Sequence, residues 1–493
     1  MDINANEPAR YYQVTLGNPG TITLDMNPQI DGLSIMGAQS QLVIGGPYTL
    51  QVLLDTTLTA GTLTMLPGGI LATGTYTQTG GLLQYALAPG GTGRITVVNT
   101  ATLGGTLGVT VTPGLYGLST QYTLLSAGAI SGQFAQFISS PLRSSFLSLS
   151  GPLYDASSVD VTVTRTPFGA VPGLTQNQRA VGNALEGAYS TTLTGPAATL
   201  FTNLLMTGTP EALSQLSGEA ATGAQQPAFQ LMNELMSVML DPFVDGRASL
   251  GDGYRYAMPF APDREPLPED IALAYSKVLR TPVSKGNPFE QRWSVWGAGY
   301  GGASHTSGDL LVVGSHDLSA HTAGGAAGLD YRVLPGTLVG FALAGGGTGW
   351  SLAQGLGSGS SDAFQAGVYA KTHSGPFYLA GALAYTQHWM STDRIAFAND
   401  RLQAQFSAES FGGRAEAGYR IPNAVAAITP YAAVQAQNFH TPTYSETDIT
   451  GGGAGLTYPS HNATDTRSEL GGRFDKPILV NWNAVLALRA KVA

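Results

Sequence analysis

All seven histidines, His305, His316, His321, His373, His388, His440 and His461, lie after residue 304, and the chain has no cysteine. Imidazole is the usual general base and zinc ligand, so a Ser-His-Asp relay or a zinc site confined to residues 1–304 is excluded. His316-Asp317 with His321 suggests metal ligands, but no HExxH spacing accompanies them, and residues of a strand-turn surface are the favoured reading. Glu416 and Glu469 have the residue type of a hydrolase's acid and base. Each is interleaved with arginines, Arg414 and Arg420 around the first and Arg467 and Arg473 around the second, which is the pattern of carboxylates that pair with cations in a lumen. The glycine triplets at 345–347 and 451–453 lack the Lys and Ser/Thr that follow in a phosphate loop. Asn462-Ala463-Thr464 matches a glycosylation acceptor by chance. No catalytic, cofactor-binding or metal-ligating residue is expected, and the chain is not read as an enzyme.

The elements that carry these residues explain them better than chemistry does. In "SFGGRAEAGYR", Ser410 to Arg420, Phe411, Gly413, Ala415, Ala417 and Tyr419 fall on one side of an extended chain, and Gly412, Arg414, Glu416, Gly418 and Arg420 on the other. Small residues bracketed by aromatics would fill a soluble core poorly. They suit a strand with one face to lipid and one to a wet lumen. The pattern recurs in "DTRSELGGRFD", where Ser468, Leu470, Gly472 and Phe474 alternate with Arg467, Glu469, Gly471, Arg473 and Asp475. It recurs again in "AFQAGVYAKTHS" and in "AVLALRAKVA". Trp293, Trp296, Trp350, Trp389, Phe377 and Tyr419 sit near the ends of such runs, where interfacial girdles are expected. Nine strands are predicted, near 293–303, 319–332, 336–350, 362–374, 376–391, 404–421, 426–440, 465–475 and 483–493.

Composition agrees. The 493 residues include 65 glycines and only 11% charged residues, which points to β-structure. A net charge of -9 offers no basic surface, so nucleic acid is excluded as a partner. The absence of cysteine fits a chain that crosses an oxidising compartment unfolded. No run of about 18 apolar residues is present, so any crossing of a membrane must be done by strands. "MDINANEPARYYQVTLG" carries no basic segment followed by an apolar one, so no secretory signal is visible.

Three regions follow. Residues 1–165 are a lysine-free string of short Thr-, Gly- and Leu-rich runs, read as a β-solenoid in preference to a sandwich, with "YTLLSAGAISGQFAQF" and "SVDVTVTRT" as its last rung and closing strands. Residues 166–290 are a helical linker, in which "LTQNQRAVGNALEGAYS", "TPEALSQLSGEAATG" and "QQPAFQLMNELMSVMLDPF" have apolar residues at three- and four-residue spacing. Thr209-Pro210-Glu211 marks a helix start. "DIALAYSKVLR" adds a short helix after the polar stretch "APDREPLPED". A helix over 226–244, with Phe229, Met232, Leu235, Met236 and Met239, is read as packing within the linker rather than as a partner-binding helix. Residues 291–493 are the barrel.

This order resembles the type V secretion autotransporters. "WSVWGAGYGG" looks like the first barrel strand of that family, "FGGRAEAGYR" like the sixth and "TRSELGGRFD" like the eighth, while "YTLLSAGAISGQF" through "LSLSGPLYDASSVDVTVTRT" resembles the autochaperone end of a passenger β-helix. The resemblance implies an all-β fold: a right-handed parallel β-helix-like passenger end, a helical linker and an antiparallel transmembrane β-barrel with about nine of twelve strands present. Family barrels end on an aromatic residue after twelve strands, so a chain stopping at Ala493 is expected to be truncated at both ends and, with an unpaired edge in lipid, not to insert stably as given. The implied function is a monomeric translocator that inserts in the outer membrane and delivers and anchors its own passenger at the cell surface, the passenger entering the barrel as a hairpin. Its implied partners are outer-membrane lipid, the barrel assembly machinery and periplasmic chaperones, with no cofactor and with the surface receptor unknown. The alternative is a surface adhesin or structural stalk, or a carrier of an enzymatic passenger domain.

Overall fold

The computed structural model describes residues 11–241, 292–421, 427–481 and 484–492, with the backbone alone described over 475–481 and 484–491. "APDREPLPED" and "DIALAYSKVLR" lie outside the described residues, and the side chains of "AVLALRAKVA" up to Lys491 are likewise undescribed.

Twelve strands alternate between two parallel sheets. One holds β1 (Gln13–Leu16), β3 (Gln29–Ile35), β5 (Thr49–Leu58), β7 (Ile70–Gln78), β9 (Arg94–Leu103) and β11 (Ser119–Gly132). The other holds β2 (Gly20–Thr23), β4 (Ser40–Ile44), β6 (Thr62–Met65), β8 (Leu82–Leu87), β10 (Thr106–Val111) and β12 (Gln136–Ser139). Each odd–even pair is one rung of a β-solenoid, and the turn between them needs glycine. At Gly61, φ +72°, an added Cβ would run into the carbonyl oxygens of Ser40 and Gly37 in the rung before. Inside, like residues stack in register: Leu42, Leu63, Leu83 and Leu107 in one column, and Ile44, Met65, Tyr85 and Val109 in the next. All eight are buried, and each aliphatic side chain contributes about 1.5–3 kcal/mol of transfer free energy. Gln78 interrupts a core column but is satisfied there, accepting from Tyr76 Oη at 2.8 Å and donating to the Thr106 carbonyl at 3.2 Å. Between Asp55 and Arg143 the only charged residue is Arg94.

The stack ends by changing direction. The second half of β11 continues the parallel sheet on β9, while its first half pairs antiparallel with β15 (Ser158–Arg165). That strand in turn pairs with β13 (Leu147–Leu149) and β14 (Leu153–Tyr154). Tyr122 to Arg165 therefore forms a last rung with an antiparallel cover, which occupies the sheet edge that a thirteenth parallel strand would otherwise use.

Four α-helices follow among the described residues. The first, α1 (Gln176–Ala188), starts in a capping box between Thr175 and Gln178. The second, α2 (Gly195–Thr207), has no counterpart in the sequence reading, although Pro196 in its first turn and buried Leu200, Phe201, Leu204 and Leu205 at helical spacing were there to be used. The third, α3 (Pro210–Leu216), starts after Thr209 as expected, with the Thr209 hydroxyl donating to Glu211 at 2.6 Å. A 3-10 turn over Glu219–Ala224 leads into α4 (Gln225–Leu240).

The remaining strands form one antiparallel sheet of up-and-down neighbours. They are β16 (Trp293–Thr306), β17 (Leu318–Leu334), β18 (Thr337–Leu352), β19 (Ser358–Ser374), β20 (Phe377–Ala396), β21 (Asp400–Tyr419), β22 (Ala427–Thr441), β26 (His461–Asn481) and β27 (Ala484–Val492). Short strands β23 (Tyr444–Ser445), β24 (Thr447–Asp448) and β25 (Thr457–Tyr458) ornament the long β22–β26 connection. The count of nine agrees with the sequence, but several strands run past their predicted ends on the side away from the tight turns, as in β20, expected over 376–391 and found over Phe377–Ala396, while β26, expected over 465–475, is longer at both ends, His461–Asn481.

Candidate functional site

Sheet alternation divides the barrel residues into outward and inward sets. On β20 the outward set Phe377, Leu379, Leu383 and Trp389 is exposed, whereas Tyr378, Ala380, Ala382 and Ala384 are buried. Phe411, Leu470, Val368 and Val434 are likewise exposed on neighbouring strands. From Phe377 to Trp389 the rise along the strand is about 40 Å, roughly 30 Å along the axis of a normally tilted barrel, which matches an apolar belt of membrane height. Trp293 and Tyr331, with ring centroids 4.6 Å apart, and the cross-strand neighbours Phe377 and Tyr419 mark its lower border. Trp296 and Trp350 do not belong to a girdle. Both are buried on the inner face, Trp296 donating to Tyr369 Oη at 2.6 Å and Trp350 to the Ala220 carbonyl at 3.0 Å. Position near a strand end could not distinguish them, because a buried indole is equally stable wherever its N–H finds an acceptor.

Inside, charge is gathered into two adjacent rows of strand register. One row contains Asp330, Tyr369, Arg414, Gln435 and Arg467, and the next contains Arg332, Lys371, Glu416 and Glu469. Arg414 bridges Glu416 at 2.9 Å and Glu469 at 3.1 Å. Glu416 is also held by Arg473 at 2.6 Å and Tyr378 Oη at 2.7 Å, and Glu469 by Arg467 at 2.6 Å and by Tyr431 Oη. The carboxylates are thus placed in cation pairs, as their spacing suggested. Arg420 lies just beyond β21, its backbone N–H donating to the Pro376 carbonyl at 2.7 Å. Satisfied charges of this kind make a rigid polar wall.

Helix α4 fills the lumen above that wall. Met232, Leu235, Met236 and Met239 are buried against the inner faces of the strands. The strands make room with glycine: a Cβ on Gly412 would strike Met236, and one on Gly367 would strike Met239. Polar groups on the helix are paired with the wall, Glu234 accepting from Thr322 at 2.8 Å and Asn233 from Gln437 at 3.1 Å. The expectation that this helix packs within the linker is corrected. Its Met and Leu stripe faces the barrel because the inner strand faces offer alanine and glycine, a shallow apolar groove complementary to long side chains.

The mouth of the barrel is covered by α1 to α3. His316, expected on a strand-turn surface, is buried, with Nδ1 2.7 Å from Glu219 and its backbone N–H donating to the same carboxylate at 2.8 Å. His321 faces outward on β17, and Asp317 accepts instead from the Gly308 N–H at 2.8 Å. His388 is fully buried between Ser410, 3.0 Å from Nε2, and Ser361. The glycine triplet at 451–453 winds over Asp400 and Asp448, which accept N–H bonds from Gly451, Gly452, Gly453 and Ala454. Glycines 345–347 are ordinary β18 residues, and Asn462 to Thr464 lie on β26.

Comparison with known proteins decides the assignment. Residues 295–493 match the family model described as the autotransporter beta-domain. This barrel is an autotransporter β-domain. The translocator domain of the autotransporter NalP from Neisseria meningitidis is similar over 45% of this chain and 74% of that one, at 15% identity and a TM-score of 0.35. The beta domain of the Bordetella autotransporter BrkA is similar over 41% of this chain and 76% of that one, at 18% identity and a TM-score of 0.33. No curated protein sequence gives a significant match. As an autotransporter β-domain, the barrel resides in the outer membrane with its belt against lipid, and the solenoid that precedes it is the end of a passenger carried at the cell surface.

Proposed function

We propose that the chain delivers its own passenger through the lumen that α4 occupies and then holds it on the surface as a folded, attached stalk. The observation that carries this reading is the path of the backbone. The solenoid and α1–α3 stand outside the mouth, the 3-10 turn enters it beside Trp350, and α4 descends to Met239 beside Gly367, so the passenger's own connection enters the lumen. A chain pulled outward as a hairpin would come to rest this way. The assembly machinery of the outer membrane and periplasmic chaperones would serve the barrel before insertion, because long apolar strand faces cannot stay dispersed in water. The protein would act as a monomer, and no catalytic step is assigned to it.

Folding of the passenger would start at Tyr122 to Arg165. Each solenoid rung is stabilised mainly by its neighbour, and among the described residues this segment is the one place where a rung is finished by an antiparallel cover. Deleting Tyr122 to Arg165 from the full-length protein, produced in a bacterium with an outer membrane, should leave the heat-modifiable barrel band unchanged and make the upstream solenoid sensitive to external protease. A solenoid that stays fully resistant after the deletion, with surface delivery unchanged, would refute the template role.

A further inference from the structure

We propose that α4 and the first three barrel strands hold a calcium ion in the lumen, between Gln230 and Glu234 on the helix and Ser304 and Thr348 on the wall. The site goes beyond the translocator reading, because it concerns only how α4 is seated against β16–β18.

A polar stripe runs down α4 beside its methionines. Gln226, Gln230 and Glu234 are spaced by four residues and so share one face of the helix. Gln226 Oε1 accepts from Thr306 Oγ1 at 2.8 Å at the upper end of β16, and a Cβ on Gly302 would strike Gln230 and Glu234. Ser304 lies on the inner face between those two contacts. Thr322 is the register partner of Gly302, and Thr348 that of Thr322, so successive strands about 4.8 Å apart carry the wall of the site. Within it the pairing is incomplete. Glu234 Oε1 accepts from Gln230 Nε2 at 3.2 Å and from Thr322 Oγ1 at 2.8 Å. Glu234 Oε2, Gln230 Oε1, Ser304 Oγ and Thr348 Oγ1 are buried and have no hydrogen-bond partner among the described residues. Thr348 as a whole is only 5% exposed.

The chemistry of the four oxygens selects the occupant. Those of Gln230 and Glu234 can only accept, and among the described residues no Lys, Arg or His is in contact with Glu234. Glu416 and Glu469, deeper in the same lumen, are each held by two arginines. A buried carboxylate is costly unless a positive charge meets it. A cation satisfies all four oxygens at once, whereas a water brings two protons and no charge. Oxygen ligands with one carboxylate among them are the set of a hard cation. Calcium suits it, since its coordination by about six to eight oxygens in loose geometry admits an amide, two hydroxyls and waters beside the carboxylate, while magnesium demands a near-ideal octahedron. With one carboxylate the affinity belongs with the weak extracellular sites, at about 10⁻⁴–10⁻³ M. The site is placed for that supply. Gly302, Thr322, Thr348, Ser361 and Met390 form one row of strand register, next to Trp389 at the upper border of the belt, on the extracellular side.

The test uses the full-length protein purified from outer membranes and stripped with EGTA, with calcium chloride as the probe. The first readout is the temperature at which the compact gel band gives way to the unfolded one. Calcium at about 10 mM should raise that temperature in the parent, magnesium at the same concentration far less, and sodium at equal ionic strength not at all. Glu234→Gln, which keeps the shape and removes the charge, should abolish the shift, and Thr348→Val should weaken calcium binding by about tenfold or more. Terbium, a calcium mimic excited through the inward-facing Tyr300 and Trp350 that flank the site, gives a local readout. Its emission should be displaced by calcium in the parent and absent in Glu234→Gln. A parent with neither a calcium shift nor displaceable emission would overturn the proposal, as would sodium acting as strongly as calcium. A calcium shift of parent size in both variants would overturn it too, because the ion would then sit elsewhere on the protein. Should Glu234→Gln give no heat-modifiable band, unweakened terbium and calcium binding in Thr348→Val would be the overturning result.

Discussion

The two halves of β21 obey the same alternation with opposite meaning. From Phe411 to Tyr419 the outward residues are apolar and the inward ones include Arg414 and Glu416; from Asp400 to Ser410 the outward residues are Arg401, Gln403, Gln405, Ser407 and Glu409, and the inward ones include buried Leu402, Ala404 and Ala408. The backbone does not change register or hand at the crossover. What changes is the medium on each side: lipid outside and a charged lumen inside below, water outside and the passenger base inside above. Period two thus tells which residues share a face, and only the neighbours tell what that face is for.

The comparison can be broken most severely in the lower half, on its inner face. Arg414→Leu would leave Glu416 and Glu469 buried with one cation fewer each, an expected loss of about 3–5 kcal/mol in the midpoint of barrel unfolding followed by gel mobility. An unchanged midpoint would show that the two charge rows are hydrated and not structural. The next effect contrasts the outer faces: Leu383→Arg should cost about 2–4 kcal/mol and reduce insertion, whereas Gln405→Arg, on the outer face above the belt, should be close to neutral. Equal losses would mean that the belt extends to the rim. The smallest effect separates barrel from passenger base. Hydrogen bonding to Arg165 holds Glu186 below its ordinary 4.5, so its contribution is complete above that value and fades as pH falls through the lowered one. In urea titrations, Glu186→Gln should be less stable than the parent at neutral pH, with the gap closing progressively below about pH 4.5; a gap independent of pH would remove the ion pair as its cause.

Much of this architecture was legible in the residues. Alternation in Phe411 to Tyr419 and in Ser468 to Phe474 named the outward faces correctly, and Arg414, Glu416, Arg467, Glu469 and Arg473 announced themselves as mutual partners by spacing. What stayed hidden depended on contacts between distant segments. The stripe of α4 reads the same whether it meets another helix or an alanine- and glycine-lined barrel, and His316 reads as surface until Glu219 is brought against it, 97 positions away in sequence. The inward turn of Trp296 depends on Tyr369, and the extra length of the strands on a passenger base standing above the belt, neither of which any local window contains. Helix α2 is a simpler case: it lies within the helical region 166–290, and the spacing of Leu200, Phe201, Leu204 and Leu205 marks it locally, with no distant contact needed.

The stacking of rungs also sets how the assembled stalk would carry a mechanical load. Hydrogen bonds between successive rungs point along the stack, so a pull on the outer end opens one strand pair at a time instead of shearing a whole sheet. The outermost rungs should peel in sequence and re-stack when tension drops, each giving up extended chain length. Force would reach the base only after this slack is used, and there it meets antiparallel cover strands, a bundle and a barrel joined through one core. Such a stalk would behave as a shock absorber bolted to a fixed mount.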